Sequence, residues 1–106
     1  MNRGDVYWVA LDPTRGSEIN KKRPCVIISE SVINKSRHTV VVVPLSSSAK
    51  ARSPIVISVK CLGSSVTAVC DQIRAVDKTR LIQKADQLNN EDMQLLGESL
   101  RQILSL

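Results

Sequence analysis

The run Lys21, Lys22, Arg23, Pro24, Cys25, Val26, Ile27, Ile28 sets a guanidinium directly before a proline, at the mouth of an apolar block. A residue that precedes proline is driven out of the α region into extended backbone. Arg23 is therefore fixed at the entrance of a strand. A guanidinium held in one place can clamp a phosphate through two parallel hydrogen bonds. A solvated cation at a strand end fits the same pattern, and the local residues leave both readings open. Ser46, Ser47 and Ser48 follow the β-branched run 38–45. A hydroxyl at a strand end can donate to a phosphate oxygen; a plain serine-rich loop is the alternative. The stretch CDQIRAVDKTRL (70–81) puts Asp71, Gln72 and Arg74 into an otherwise core-like run. Gln72 offers both a donor and an acceptor to a base edge, as recognition of single-stranded RNA requires. Asp71 and Arg74 have the spacing to pair, and a polar network that fixes a bend is the competing reading.

Other chemistries drop out. His38 is the only histidine, so a two-histidine acid–base mechanism is impossible within one chain. Its place at a strand start reads as surface. Cys25, Cys61 and Cys70 are odd in number and form no C-x-x-C, which argues against a disulfide framework or a zinc knuckle. Cys25 and Cys70 sit in apolar surroundings and read as buried, inert thiols. No cluster has metal-ligand spacing, and neither phosphate-binding glycine motif is present. No metal and no cofactor are expected. No apolar run approaches the roughly 20 residues of a membrane span, and the N-terminus has no apolar leader. A cytoplasmic protein with no membrane contact is expected.

The formal net charge is +5, unevenly spread. Residues 1–60 carry ten Lys/Arg against four Asp/Glu, whereas 61–106 carry five against six. A basic first half suits a polyanion or an acidic partner, though a merely basic soluble surface would look the same.

The elements that must position these residues are mostly strands. The 106 residues make one domain, 1–106, whose core must be Val, Ile and Leu, since Tyr7 and Trp8 are the only aromatics. Strands are predicted at 5–11, 23–29, 38–45, 54–60 and 80–85. The stretches 66–70 and 72–76 are two short strands or one strand bent at Asp71. HTVVVVPL (38–45) reads as a strand buried on both faces. Pro44 falls near its end, where a lost donor matters least. Residues 12–22 and 46–53 are loops, Gly63 is a turn, and 30–37 is a polar connection with room for one helical turn. A C-terminal helix starts at a cap on Asn89 or Asn90, with Glu91 and Asp92 suiting its positive end. Met93, Leu96, Leu100, Ile103 and Leu104 share one face. Gly97 weakens that helix, which predicts close packing at its bare Cα. Many short strands and one terminal helix point to a mainly β fold: a small barrel of strongly bent antiparallel strands with the helix packed on it.

Taken together, RGDVYWVALDPTRGSE (3–18), KRPCVIIS (22–29), VVVPLSSS (41–48) and CDQIRAVDKTRL (70–81) resemble the MazF/PemK family of toxin endoribonucleases, in order and spacing, over almost the whole chain. The resemblance implies an SH3-like or CcdB-like barrel that assembles as a homodimer. It implies metal-independent, sequence-specific cleavage of single-stranded RNA, chiefly mRNA, in which the substrate's 2′-OH attacks the adjacent phosphate. A MazE-like antitoxin with an acidic, disordered tail would be the partner. The family's catalytic arginine falls on Arg23. Its strand-end threonine falls on Ser46, a departure that keeps the hydroxyl and loses the methyl. A second catalytic set used by other relatives falls on Ser17, Val69 and Asp71, two of which depart from it. RNA contacts would come from Arg15, Ser17, Glu18, Lys21 and Lys22 in the first loop. Lys50 and Arg52 would add charge from the second, and Asp71, Gln72 and Arg74 would complete the set. The same barrel also carries toxins that poison gyrase, and a non-catalytic RNA-binding module is a further alternative.

Overall fold

The valine- and isoleucine-rich runs form strands, and the leucine-rich C-terminal run forms the long helix. The computed structural model describes residues 1–11 and 22–106. Among the described residues, seven strands follow in order: β1 (Asp5–Ala10), β2 (Lys22–Ile27), β3 (Thr39–Ser46), β4 (Val56–Cys61), β5 (Ser64–Val69), β6 (Arg74–Asp77) and β7 (Leu81–Gln87). Helix α1 (Ser31–Ser36) links β2 to β3, and α2 (Asn90–Leu104) ends the chain. The bend expected at Asp71 is a single 3-10 turn, Cys70–Gln72, so β5 and β6 are separate strands.

All pairings are antiparallel, in the order β4-β5-β3-β2-β1-β7, with β6 also on β3. β3 organises the sheet because it is long enough to serve two partners on one edge. Thr39–Val42 pair with β6, and Leu45 and Ser46 pair with β5. Pro44 sits between the two stretches, where its missing donor interrupts neither. The strand is buried on both faces, as its valine run predicts. Val43 and Leu45 point into a cluster with Val6, Val26, Val59, Ala68, Leu96 and Leu100. Val40 and Val42 point the other way, into a cluster with Val9, Cys25, Ile27 and Val76.

The result is a bent antiparallel half-barrel with α2 packed on one face, in line with the expected fold class. Asn89 caps α2, its Oδ1 accepting from the Asp92 N–H at 2.7 Å. Met93, Leu96, Leu100 and Ile103 face the core as predicted. Leu104 does not: it is 47% exposed, and Ser99 is buried instead. Gly97 also departs from expectation. A Cβ built there would meet only the Arg3 guanidinium, at 4.0 Å, so no close approach requires a glycine.

One carboxylate covers the outer edge of β4 and a second holds the turn that follows it. The Lys60 N–H donates to Asp92 Oδ2 at 2.8 Å, and the Leu62 N–H donates to Asp86 Oδ2 at 2.6 Å. The second contact joins the two ends of the sheet, since Asp86 belongs to β7. An exposed strand edge invites pairing with another chain, and such contacts blunt it. The polar connection 30–37 is more than a linker. Asn34 of α1 is buried and donates to the carbonyls of Ser29 and Met1, at 3.0 and 3.2 Å. Ser29 donates to Asn34 Oδ1 and accepts from the Val41 N–H at 3.0 Å. Asp5, also buried, meets the Lys84 ammonium at 3.2 Å.

Candidate functional site

Arg23 is the second residue of β2, exposed, and paired across the strands with Val9. The proline that follows fixes its extended backbone, and Cys25, Val26 and Ile27 anchor the strand in the core. Ser46 is the last residue of β3. Its Oγ accepts from the backbone N–H groups of Ser48 and Ala49, at 3.2 and 3.1 Å. These bonds wind the serine run into a tight turn. They also polarise the Ser46 hydroxyl, which shares a 3.4 Å contact with the Ser48 hydroxyl in which either oxygen can donate. Thr67, buried on β5, secures the same turn from below. Its Oγ1 lies 3.0 Å from the Ser46 carbonyl and 3.2 Å from that of Ala49, shared as a donor between them.

Two cavities meet at these residues. One, of about 640 Å³, is lined by Arg23, Ser46, Ser48, Gln72 and Arg74 over a floor that includes Pro44 and Val69. The other, of about 620 Å³, is lined by Lys22, Arg23, Ser46 and Ser48 together with Trp8, Pro24, Leu62 and Val66. Arg23, Ser46 and Ser48 belong to both and form the ridge between them. Among the described residues no carboxylate lines either cavity. A ridge carrying a guanidinium and a polarised hydroxyl, with further cations on either side, offers the donors that an anionic ligand would need.

The structure therefore gathers Arg23, Ser46, Lys22, Gln72 and Arg74 around one place. Lys50, Arg52 and Asp71 are exposed and lie outside both linings. Arg15, Ser17, Glu18 and Lys21 fall outside the described residues. His38 is exposed, as the sequence suggests. All three cysteines are buried, Cys61 as well as the expected pair. Burial pushes the Cys25 thiol up to about 12, against the opposing pull of the nearby Arg74 and Arg23 charges. Burial, aided by Asp86 and Asp71 respectively, pushes Cys61 and Cys70 up to about 11. A thiol nucleophile at neutral pH is thereby removed from consideration.

Sequence reasoning missed several contributors. Trp8 reaches the site because β1 pairs with β2, with Trp8 opposite Pro24. Leu62 arrives on the β4–β5 turn. Arg80 donates to the carbonyls of Ala10 and Leu11, at 3.2 Å each, and so holds the end of β1. None carries a local signal, because each is brought in by a partner distant in sequence.

Comparison with known proteins identifies the family and the fold. Residues 2–104 match the family described as the PemK-like, MazF-like toxin of type II toxin–antitoxin systems. The chain is 32% identical over 115 residues to endoribonuclease MazF9 of Mycobacterium tuberculosis, covering 100% of this chain and 98% of that one. It is 33% identical over 111 residues to endoribonuclease EndoA of Bacillus subtilis, covering 100% and 96%. The fold superposes on the crystal structure of MazF from Deinococcus radiodurans with a TM-score of 0.84, at 21% identity and 100% and 97% coverage. A MazE–MazF structure from the same organism gives 0.87, at 21% identity and 100% and 96% coverage. Arg23 and Ser46 thus lie on a MazF-like scaffold, and the chain belongs to the PemK-like, MazF-like family of type II toxins, in which the homologues named here are endoribonucleases.

Proposed function

We propose that this chain is a sequence-specific endoribonuclease that cuts single-stranded RNA, chiefly mRNA in the cytoplasm, and is the toxin half of a toxin–antitoxin pair. The ridge shared by Arg23 and Ser46, with a cavity on either side, carries the reading. A phosphodiester seated on the ridge would leave one flanking nucleotide over each cavity.

In the proposed reaction the substrate's 2′-oxygen bonds to the adjacent phosphorus, and the bond from phosphorus to the 5′-oxygen breaks. The products are a 2′,3′-cyclic phosphate and a 5′-OH end. Solvent water takes the proton of the 2′-OH and returns one to the leaving 5′-oxygen, since among the described residues no histidine or carboxylate lines the ridge. Negative charge grows on the non-bridging oxygens at the transition state, where fixed donors act most strongly. Arg23 supplies a forked, charged donor and Ser46 a hydroxyl donor. A guanidinium has no acceptor to offer a proton, so the role of Arg23 is to hold charge. No metal is required by this scheme. Lys22 and Arg74 add affinity without sequence information, and Gln72 faces the first cavity with both donor and acceptor. A homodimer neutralised by an acidic antitoxin tail completes the proposal, supported by the basic charge and by the MazE–MazF assembly among the structural neighbours.

Purified protein is incubated with mixed-sequence RNA in EDTA and the 5′-OH ends are mapped. Cuts at one short sequence, absent in Arg23→Ala, are expected. Wild-type activity no higher than that of the variant overturns the enzymatic reading, and RNA binding without cleavage points instead to the non-catalytic module.

A further inference from the structure

The β4–β5 hairpin turns on Leu62 and Gly63, both left-handed, with φ of 54° and 75°. Cys61 and Ser64 close the turn as a cross-strand pair. A two-residue turn with positive φ at both central positions strongly favours Asn-Gly. Glycine takes the second place here, but leucine takes the first, where a Cβ crowds the backbone. The strained residue is held by the short bond from its N–H to Asp86. Strain kept at one residue directs attention to what its side chain does. The Leu62 side chain is 50% exposed, which gains little from the core. It lines the second cavity, whose other apolar walls are Trp8, Pro24, Leu45, Cys61 and Val66. Trp8 and Pro24 are cross-strand partners and so present neighbouring surfaces.

We propose that this cavity is a nucleobase subsite, with Trp8 as the stacking surface and Leu62 as an opposing apolar wall. It takes the base of a nucleotide adjoining the phosphate held by Arg23 and Ser46. The inference rests on the RNA-cleaving reading above and extends it to a specific place for one base. Three observations favour a base over an apolar peptide side chain. The cavity shares Arg23, Ser46 and Ser48 with the phosphate ridge. Lys22 stands at its rim. An indole face supplies the sequence-tolerant stacking on which single-stranded nucleic acids are bound. The hydroxyls of Ser47 and Ser64, which also line it, can meet a base edge.

Trp8 is the only tryptophan, so its emission reports on this cavity alone. The probe is a short, mixed-sequence 2′-O-methyl RNA pool, which lacks the attacking hydroxyl and cannot be cut. Titration is expected to quench Trp8 emission. Leu62→Asn is expected to weaken that binding about tenfold while the thermal midpoint stays equal or rises, because Asn relieves the turn. On cleavable RNA, Trp8→Ala is expected to raise KM about tenfold, with a smaller change in kcat and the cleavage sequence unchanged. Unchanged emission, or wild-type affinity in Leu62→Asn, overturns the subsite. Quenching in a protein that cuts no RNA leaves the subsite standing and overturns the catalytic proposal alone. Quenching by an apolar peptide but not by the RNA pool assigns the cavity to a protein partner and overturns it too.

Discussion

In the proposed reaction Arg23 and Ser46 divide the chemistry by what each side chain can present. Arg23 offers a planar fork, and an ammonium at the same place would offer a point charge on a flexible stem. Arg23→Lys is expected to lower kcat by about 100-fold, comparable to losing a fixed transition-state donor, with the fold unchanged by circular dichroism. Near-wild-type turnover in the lysine variant would show that charge alone suffices. Ser46 accepts from Ser48 and Ala49 and, in the proposed reaction, also donates outward. Ser46→Ala removes both, and a drop in kcat of at least tenfold is expected, whereas Ser46→Thr keeps both and should stay within a few-fold of wild type. Kinetics on one mapped RNA sequence separate these outcomes. The extended backbone of Arg23 was legible in the sequence because the constraint from Pro24 is covalent and immediate. The anchoring of Ser46 was not, since Thr67 lies 21 residues away and reaches it only across the β3–β5 pairing.

At the scale of elements, the strands and the terminal helix follow from local pattern. Four consecutive valines can be buried on both sides only in the interior of a sheet, and β3 is there. Asn89 ahead of two acidic residues marks the start of α2. What local pattern hides is contact. The polar stretch 30–37 reads as surface, yet Asn34 is buried because backbone carbonyls from two other segments meet it. Gly97 shows the opposite error. A glycine within a helix suggests a neighbour pressed against it, and the space above it is open. Gly97→Ala is therefore expected to stabilise the protein by about 0.5–1 kcal/mol. Calorimetry would show it as a rise of roughly 2–8 °C in Tm; a fall would mean that the side chain meets an obstacle there.

At the scale of the molecule, the basic first half and the two cavities act together. Lys22, Arg23 and Arg74 line them. If each neutralises one phosphate of a single strand, log affinity for uncleavable RNA should fall with log salt at a slope of about −2. A flat response would remove the phosphate contacts. Assembly and cleavage sequence are properties of surfaces formed by several segments, so the chain alone states neither. Asp86 gives the whole sheet a further property. It accepts from the Leu62 and Gln87 N–H groups, which hold its carboxyl below the ordinary value of 3.8. Its contribution to stability is therefore complete above that value and is lost as pH falls through the lower, folded one. Asp86→Asn should flatten the acid limb of a stability–pH curve below about pH 4, while an unchanged limb would assign acid sensitivity elsewhere. The carboxylate acts as a latch between the two ends of an open sheet. Acid springs it and unpins the β4–β5 turn from β7, so the Leu62 amide should lose its protection from hydrogen exchange before the amides of the sheet do.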